Sequence, residues 1–324
     1  MLTRRDVAEL LTIEECIAAV ERAFKLHGEG KAARPGILGV HAREGGFHIK
    51  AGILELKRPY FAAKLNANFP QNMNRSDLPT IQGVIALCDA ENGCLLALMD
   101  SIEITIQRTG AATAVAAKYL ARPDSKVATI CGCGNQGRIS LLALSKIVDL
   151  AKVFVFDREY ERAQEIAQEL SKKYKIDIEA VTELTNAVRQ SHIVVTCTPS
   201  KGPFLKKEWI APGTFIAAVG ADSEDKQELD PALFNQSKIV VDLVEQCVTI
   251  GELHHAIAAG YINNEQVHAE LGEIVAGTKL GRTTSEEIII FDSTGMALQD
   301  VATAALVYEK AVRSARGTVM NLVE

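Results

Sequence analysis

The sequence predicts an α/β protein in which a Rossmann-type, doubly wound parallel sheet is joined to a discontinuous α+β domain. Three observations carry that expectation. Apolar runs of strand length alternate with helical segments after residue 125, a glycine-rich turn separates the first of those strands from the next helix, and a long helical run occupies 296–315.

Taken in order, Thr12 and Glu15 have capping-box spacing, and Ile13, Ile17, Val20 and Phe24 repeat at helical intervals up to Gly28. An amphipathic helix is therefore expected to open the chain. Apolar runs at 47–49, 61–65 and 81–87, separated by Gly, Pro and Asn, read as strands and turns. From 126–131 the pattern becomes strand, then helix from about Gln136, then strands at 153–156, 193–198, 214–219 and 239–242, the signature of βαβ units. A strand-like run at 287–291 leads through Gly295 into the closing helix, with Ala297, Val301, Ala304 and Ala305 on its apolar side. That helix is too long for a cap and is expected to return to the N-terminal domain. The expected domains are 1–118 with 296–324, and 119–295.

Composition narrows the function classes. With 48% hydrophobic and 23% charged residues over 324 positions, the chain has the material for a large core, which excludes overall disorder. A net charge of -6 with no long basic run offers no attraction to nucleic acid or an anionic membrane, and no apolar stretch approaches a membrane span. The stretch from Asp6 to Glu15 is broken by acids and has no signal-like core. Seven cysteines without a CxxC pair, several of them in apolar runs (Cys16, Cys88, Cys197), fit reduced thiols in a cytoplasmic protein.

A glycine-rich turn between strand and helix lets backbone amides approach a pyrophosphate and aims the helix N-terminus at its charge. Gly132, Gly134 and Gly137 stand at those places. The strand before them is apolar, the helix after them amphipathic, and Asp157 ends the following strand, where an acid accepts the adenosine ribose hydroxyls and repels a 2′-phosphate. NAD is expected rather than NADP, although Arg158 beside the acid is a residue that welcomes that phosphate.

Outside that domain Lys50, Lys64 and Arg108 are cations in apolar surroundings. Each is either a partner for a substrate carboxylate or cofactor phosphate, or a side chain whose stem lies along the sheet edge with its head in water. Asp222 follows the 214–219 strand through Gly220 and Ala221, at the edge where open α/β sheets bind ligands. It either holds an ammonium or relays a proton, or it is a loop acid capping a helix. No metal site is expected, since His254-His255 and Cys131-Gly132-Cys133 lack ligand spacing, and Ser101, Ser140 and Ser200 lie in no nucleophile elbow.

The chain resembles the ornithine cyclodeaminase and mu-crystallin family, and within it the archaeal-type alanine dehydrogenases. The residues that carry the resemblance are Leu78-Pro79-Thr80, Arg108-Thr109-Gly110-Ala111-Ala112, the 132–137 loop, Val219-Gly220-Ala221-Asp222, Lys226-Gln227-Glu228-Leu229 and Asp292-Ser293-Thr294-Gly295. It implies a homodimer formed through the N-terminal domain, with NAD on the Rossmann domain. By matching position it assigns Thr80, Arg108, Asn135, Gln136, Asp157, Thr198, Val219, Lys226 and Ser293 to the cofactor, with Gly220 and Ala221 beside them. Lys64 is assigned to the substrate carboxylate, Lys50 and Thr294 to the substrate, and Asp222 to acid or base catalysis. Two departures stand out: Lys50 where the family commonly has an arginine with its bidentate fork, and Ser223-Glu224-Asp225 in place of Gly-Pro-Gly.

The function this implies is hydride transfer between the nicotinamide and the α-carbon of a small amino or imino acid. The alternatives are an ornithine cyclodeaminase using NAD catalytically, a reductase of pyrroline-2-carboxylate or iminosuccinate, and a mu-crystallin-like ligand-binding protein. Asp222 argues against the last, because mu-crystallins resemble the family without an acid at that point.

Overall fold

The computed structural model describes residues 1–321, the side chains of Met73 and Asn74 excepted. Residues 322–324, part of the expected closing segment of the first domain, lie outside the described residues. The chain divides into two compact units, Met1–Arg108 with Met296–Glu324, and Thr109–Gly295. The boundary falls inside the helix Ser101–Leu120. Among the described residues no helix is long and apolar enough to cross a membrane, and no group of three or more His, Cys, Asp or Glu is placed to hold a metal ion.

The first unit is an antiparallel meander of five strands, Gly36–Ala42, Gly45–Glu55, Pro59–Asn68, Ile81–Asp89 and Leu95–Asp100, paired in sequence order. The expected helix is present as Ile13–Gly28 with the Thr12–Glu15 capping box, but it does not open the chain. A seven-residue helix, Arg4–Leu10, precedes it with its own box of Thr3 and Asp6, too short for helical periodicity to register. The closing helix, Ala297–Arg313, packs on one face of this sheet. Gly52 makes the approach close, since an added Cβ would stand 2.9 Å from Leu298 Cδ2. Tyr60 OH donates to Glu309 at 3.1 Å, and Lys310 Nζ reaches Glu15 at 2.7 Å.

Strand alternation puts a different set of residues on the opposite face. Leu38, Ile49, Leu65 and Val84 form one cross-strand row there, with Val40 and Phe47 in the next. Leu38 (55%), Val40 (48%), Leu65 (40%) and Val84 (47%) are exposed, so an apolar sheet face lies uncovered in a single chain.

The second unit is an eight-stranded parallel sheet. Its order is Ala269–Glu270, Lys238–Val241, Ile289–Asp292, Phe215–Ala218, Ile193–Thr196, Val127–Cys131, Lys152–Phe156, Asp177–Ala180. The runs read as strands all form, and their interiors are buried on both faces, as parallel strands require. Asp177–Ala180 and the two-residue strand Ala269–Glu270 are additions, too short and too polar to be seen as apolar runs. The strand order reverses at Val127–Cys131, whose neighbours are the next strand on one side and Ile193–Thr196 on the other.

Candidate functional site

Open α/β sheets bind ligands beyond the carboxyl ends of the strands, at the point where strand order reverses. The loops that meet there in the second unit are those after Val127–Cys131 and Ile193–Thr196. The three loop glycines do different work. Gly132 adopts φ +107°, and an added Cβ would come within 2.9 Å of Cys197 O. Gly134 caps the helix Asn135–Leu144 and has open space where a Cβ would project. At Gly137 a Cβ would overlap the Gly132 carbonyl oxygen, so only glycine lets the helix seat against the turn. A tight turn, an open backbone at a helix N-terminus and close helix packing are what a bound pyrophosphate needs. Asn135 and Gln136 begin that helix, and the Gln136 Oε1 atom is buried without a hydrogen-bond partner.

Asp157 lies just past Lys152–Phe156, as expected, and does something the sequence did not show. Its Oδ2 accepts the Cys133 N–H at 2.8 Å and its Oδ1 the Glu159 N–H at 3.0 Å. The acid thus fixes the glycine loop and keeps further lone pairs able to accept hydrogen bonds. Arg158 is exposed.

The remaining positions expected at the cofactor follow the other strands of this edge. Val219 N donates to Thr196 O at 2.9 Å, prolonging the pairing of Phe215–Ala218 with Ile193–Thr196, and Ala221 is buried. Ser293 N donates to Ala218 O at 2.9 Å and its hydroxyl to Asp242 at 3.0 Å. Thr294 donates to Asp242 at 3.2 Å and accepts from Gln246 at 2.7 Å, so its hydroxyl is engaged inside the unit. Asp242, a residue missed by sequence reasoning, also accepts the Gly295 N–H at 2.6 Å and so organises the whole turn after Ile289–Asp292.

Asp222 is exposed on the turn after Phe215–Ala218 and forms an ion pair with Lys226. The next regular element is the strand Gln227–Leu229, so Asp222 caps no helix, which removes that reading of it. Ser223, Glu224 and Asp225 continue the turn, and the Asp225 carboxyl is held low by Lys201 and Ser223.

In the first unit Lys50 and Lys64 are directly opposite on adjacent strands, on the face that receives the closing helix, and both are buried. Like charges so placed repel, and the structure answers with an acid from that helix. Lys64 Nζ lies 2.7 Å from Asp300 Oδ2, and Arg108 Nε lies 3.3 Å from Asp300 Oδ1. Arg108 also donates to Gln299 Oε1 at 3.0 Å. Burial pulls the Lys64 ammonium down, with Arg108 and Lys50 adding to the effect against Asp300, to about 7. Burial pushes the Asp300 carboxyl up, but Lys64, Arg108 and Lys50 together hold it below its ordinary value. The cations expected to meet a carboxylate or phosphate therefore share a protein carboxylate. Asp300 and Gln299 were missed, yet a signal existed: an acid inside the apolar stripe of Ala297, Val301 and Ala304. Thr80 sits half-buried before Ile81–Asp89, its carbonyl accepting the Phe69 N–H at 2.8 Å.

Known proteins resemble this chain over nearly its whole length. The model of the ornithine cyclodeaminase/mu-crystallin family matches residues 1–315. The alanine dehydrogenase of Archaeoglobus fulgidus is 39% identical over 312 residues, 96% of this chain and 95% of its own length. An archaeal alanine dehydrogenase dimer with bound NAD superposes with a TM-score of 0.95 at 39% identity, covering 99% of this chain and 98% of that one. The Thermococcus litoralis Δ1-pyrroline-2-carboxylate reductase in complex with NADH and L-proline gives 0.93 at 38% identity, covering 98% and 99%.

Proposed function

The chain belongs to the ornithine cyclodeaminase/mu-crystallin family, and from that premise we propose that it is an NAD-dependent oxidoreductase acting on the C–N bond of a small amino or imino acid. The observation that carries this reading is the glycine loop, whose three glycines have the turn, the open amides and the helix packing of a pyrophosphate cradle, with Asp157 tied to it. Alanine is the substrate we favour, from the 39% identical relative. Reduction of a preformed cyclic imine is the second reading, from the likeness to the L-proline complex.

Bound NAD supplies the hydride acceptor for amino-acid oxidation and, reduced, the donor for imine reduction. The protein's own groups do the rest. Lys64, though paired with Asp300, meets the substrate carboxylate as well, because the buried cations Lys50, Lys64 and Arg108 outnumber that one acid. Asp222 takes a proton from the substrate ammonium, leaving the amine lone pair to form the C=N bond as the hydride departs from the α-carbon. After releasing that proton to solvent, the carboxylate accepts one from the water that adds to the C=N carbon, and cleavage of the C–N bond then frees ammonia and leaves the oxo acid. Thr80, Arg108, Asn135, Gln136, Thr198, Val219, Gly220, Ala221, Lys226 and Ser293 are proposed to contact the cofactor, and Thr294, whose hydroxyl Asp242 and Gln246 hold, to shape the turn beside the substrate. The deciding experiment is a panel with NADH: pyruvate plus ammonia, oxaloacetate plus ammonia and pyrroline-2-carboxylate, beside ornithine with catalytic NAD. Oxidation of NADH on none of the first three overturns the oxidoreductase reading.

The Lys64 role predicts a pH dependence. Its ammonium is lowered to about 7 in the free protein, and a bound carboxylate stabilises the charged form. Pyruvate inhibition constants should therefore be flat at acid pH and rise about tenfold per pH unit above about 7, as each binding event must take up a proton. Lys64→Arg, always charged, should abolish the slope, whereas a slope unchanged in that variant places the titrating group elsewhere.

We also propose that the chain is a homodimer through the uncovered sheet face. An apolar row of Leu38, Ile49, Leu65 and Val84 is the surface a second copy would bury. Val84→Asp should shift sedimentation from dimer to monomer; a variant that remains dimeric rules this face out.

A further inference from the structure

Glu228 has no role in the chemistry above, yet it is fully buried at the carboxyl edge of the parallel sheet. Its Oε1 accepts both the Thr198 N–H at 2.6 Å and the Thr198 hydroxyl at 2.7 Å. Its Oε2 lies against Gly220, where an added Cβ would overlap it. Thr198 and Gly220 sit on the loops after two adjacent strands, Ile193–Thr196 and Phe215–Ala218, and Gly220 is two residues from Asp222.

The acid is itself fixed from behind. Glu252 accepts the Glu228 N–H at 2.7 Å and the Leu229 N–H at 3.1 Å, and Asp292 accepts the Leu253 N–H at 2.9 Å. A buried carboxylate is costly to place unless several donors converge on it. Here burial pushes the carboxyl up to about 7 against the Thr198 donors, its two hydrogen bonds to Thr198 go to one loop, and the glycine of the other loop gives the second oxygen room. An apolar side chain of the same size would fill the space and leave the Thr198 donors unmet.

We infer that Glu228 is a positioning residue: one carboxylate sets the spacing between the Thr198 loop and the Gly220 turn, so that the cofactor contact and Asp222 are held as a single piece. The assignment of Thr198 and Asp222 to hydride transfer rests on the function proposed above, but the brace itself does not. It is tested in two arms. In the free protein, hydrogen exchange of the 197–200 and 219–223 amides should rise together, about tenfold or more, in Glu228→Asp, whose carboxylate is drawn back by one methylene. Glu228→Gln, which keeps the side-chain length and one acceptor oxygen for Thr198, should protect both loops better than Glu228→Asp. In the enzyme arm, Glu228→Asp should lower kcat about tenfold or more and raise the isotope effect from 4-deuterated NADH, because a misplaced ring slows the hydride step itself. Exchange that changes in one loop only, or in neither, overturns the brace. A fall in thermal midpoint with kcat and isotope effect unchanged reduces Glu228 to a stabilising residue. A wild-type protein inactive on the whole panel overturns the proposed function and leaves the exchange arm to decide the brace alone.

Discussion

Replacing Asp222 by asparagine is expected to lower turnover by about 10²–10⁴-fold, the range lost when a positioned acid or base is removed. Binding of NADH should change by no more than about threefold, because an interaction made only in the transition state lowers kcat and leaves ground-state affinity alone. The side chain is exposed on a turn and its partner Lys226 lies four residues on, so the substitution opens no cavity. Stopped-flow fluorescence of NADH gives affinity, and steady-state assay gives turnover. Retained turnover would move the acid–base role to another group. Equal losses of turnover and NADH affinity would make Asp222 a cofactor ligand.

The second large effect is on stability. Asp300→Asn should lower the resistance of the protein to unfolding by about 3 kcal/mol, at the low end of what breaking a buried pair costs. The carboxylate is 2% exposed and lies between Lys64 and Arg108. Removing its charge strands two buried cations, but they respond differently. Lys64, already lowered to about 7, sheds its proton at modest cost, whereas Arg108 is left to Gln299 Oε1, which accepts from it at 3.0 Å. The double variant Lys64→Met with Asp300→Asn should therefore be less destabilised than the two single effects added together, by about 1 kcal/mol or more, as expected for groups in contact. Urea midpoints with their slopes measure this; strict additivity would show that the pair contributes no coupling.

These residues also show where sequence reading stops. The central parallel strands were legible because they are buried on both faces and so are mostly apolar, as at Val127–Cys131 and Phe215–Ala218, whereas the short, polar Asp177–Ala180 and Ala269–Glu270 were not. The helix Ser101–Leu120 was not read at all, since 109–117 is a run of Ala, Gly and Thr with a single Val and no polar face to set a period. The glycine loop was legible because its chemistry is local: turn, open backbone and helix start are neighbours in the chain. Asp300 and Glu228 were not, although both stood in plain view, because a carboxylate gains its meaning from groups far away in sequence. Asp300 is 236 positions from Lys64 (300 − 64) and Glu228 is 30 from Thr198 (228 − 198).

The sequence by itself determined the fold class, the glycine cradle and the acid after the next strand, all of which follow from short-range patterns of burial and backbone conformation. Only the tertiary structure decided who partners the buried cations and what fixes the loops at the sheet edge. The physical reason is that burying a charge is tolerable only with a partner, and the partner is supplied by whichever element the fold packs against it. For Lys64 that element is the closing helix; for Thr198 it is the strand that bears Glu228.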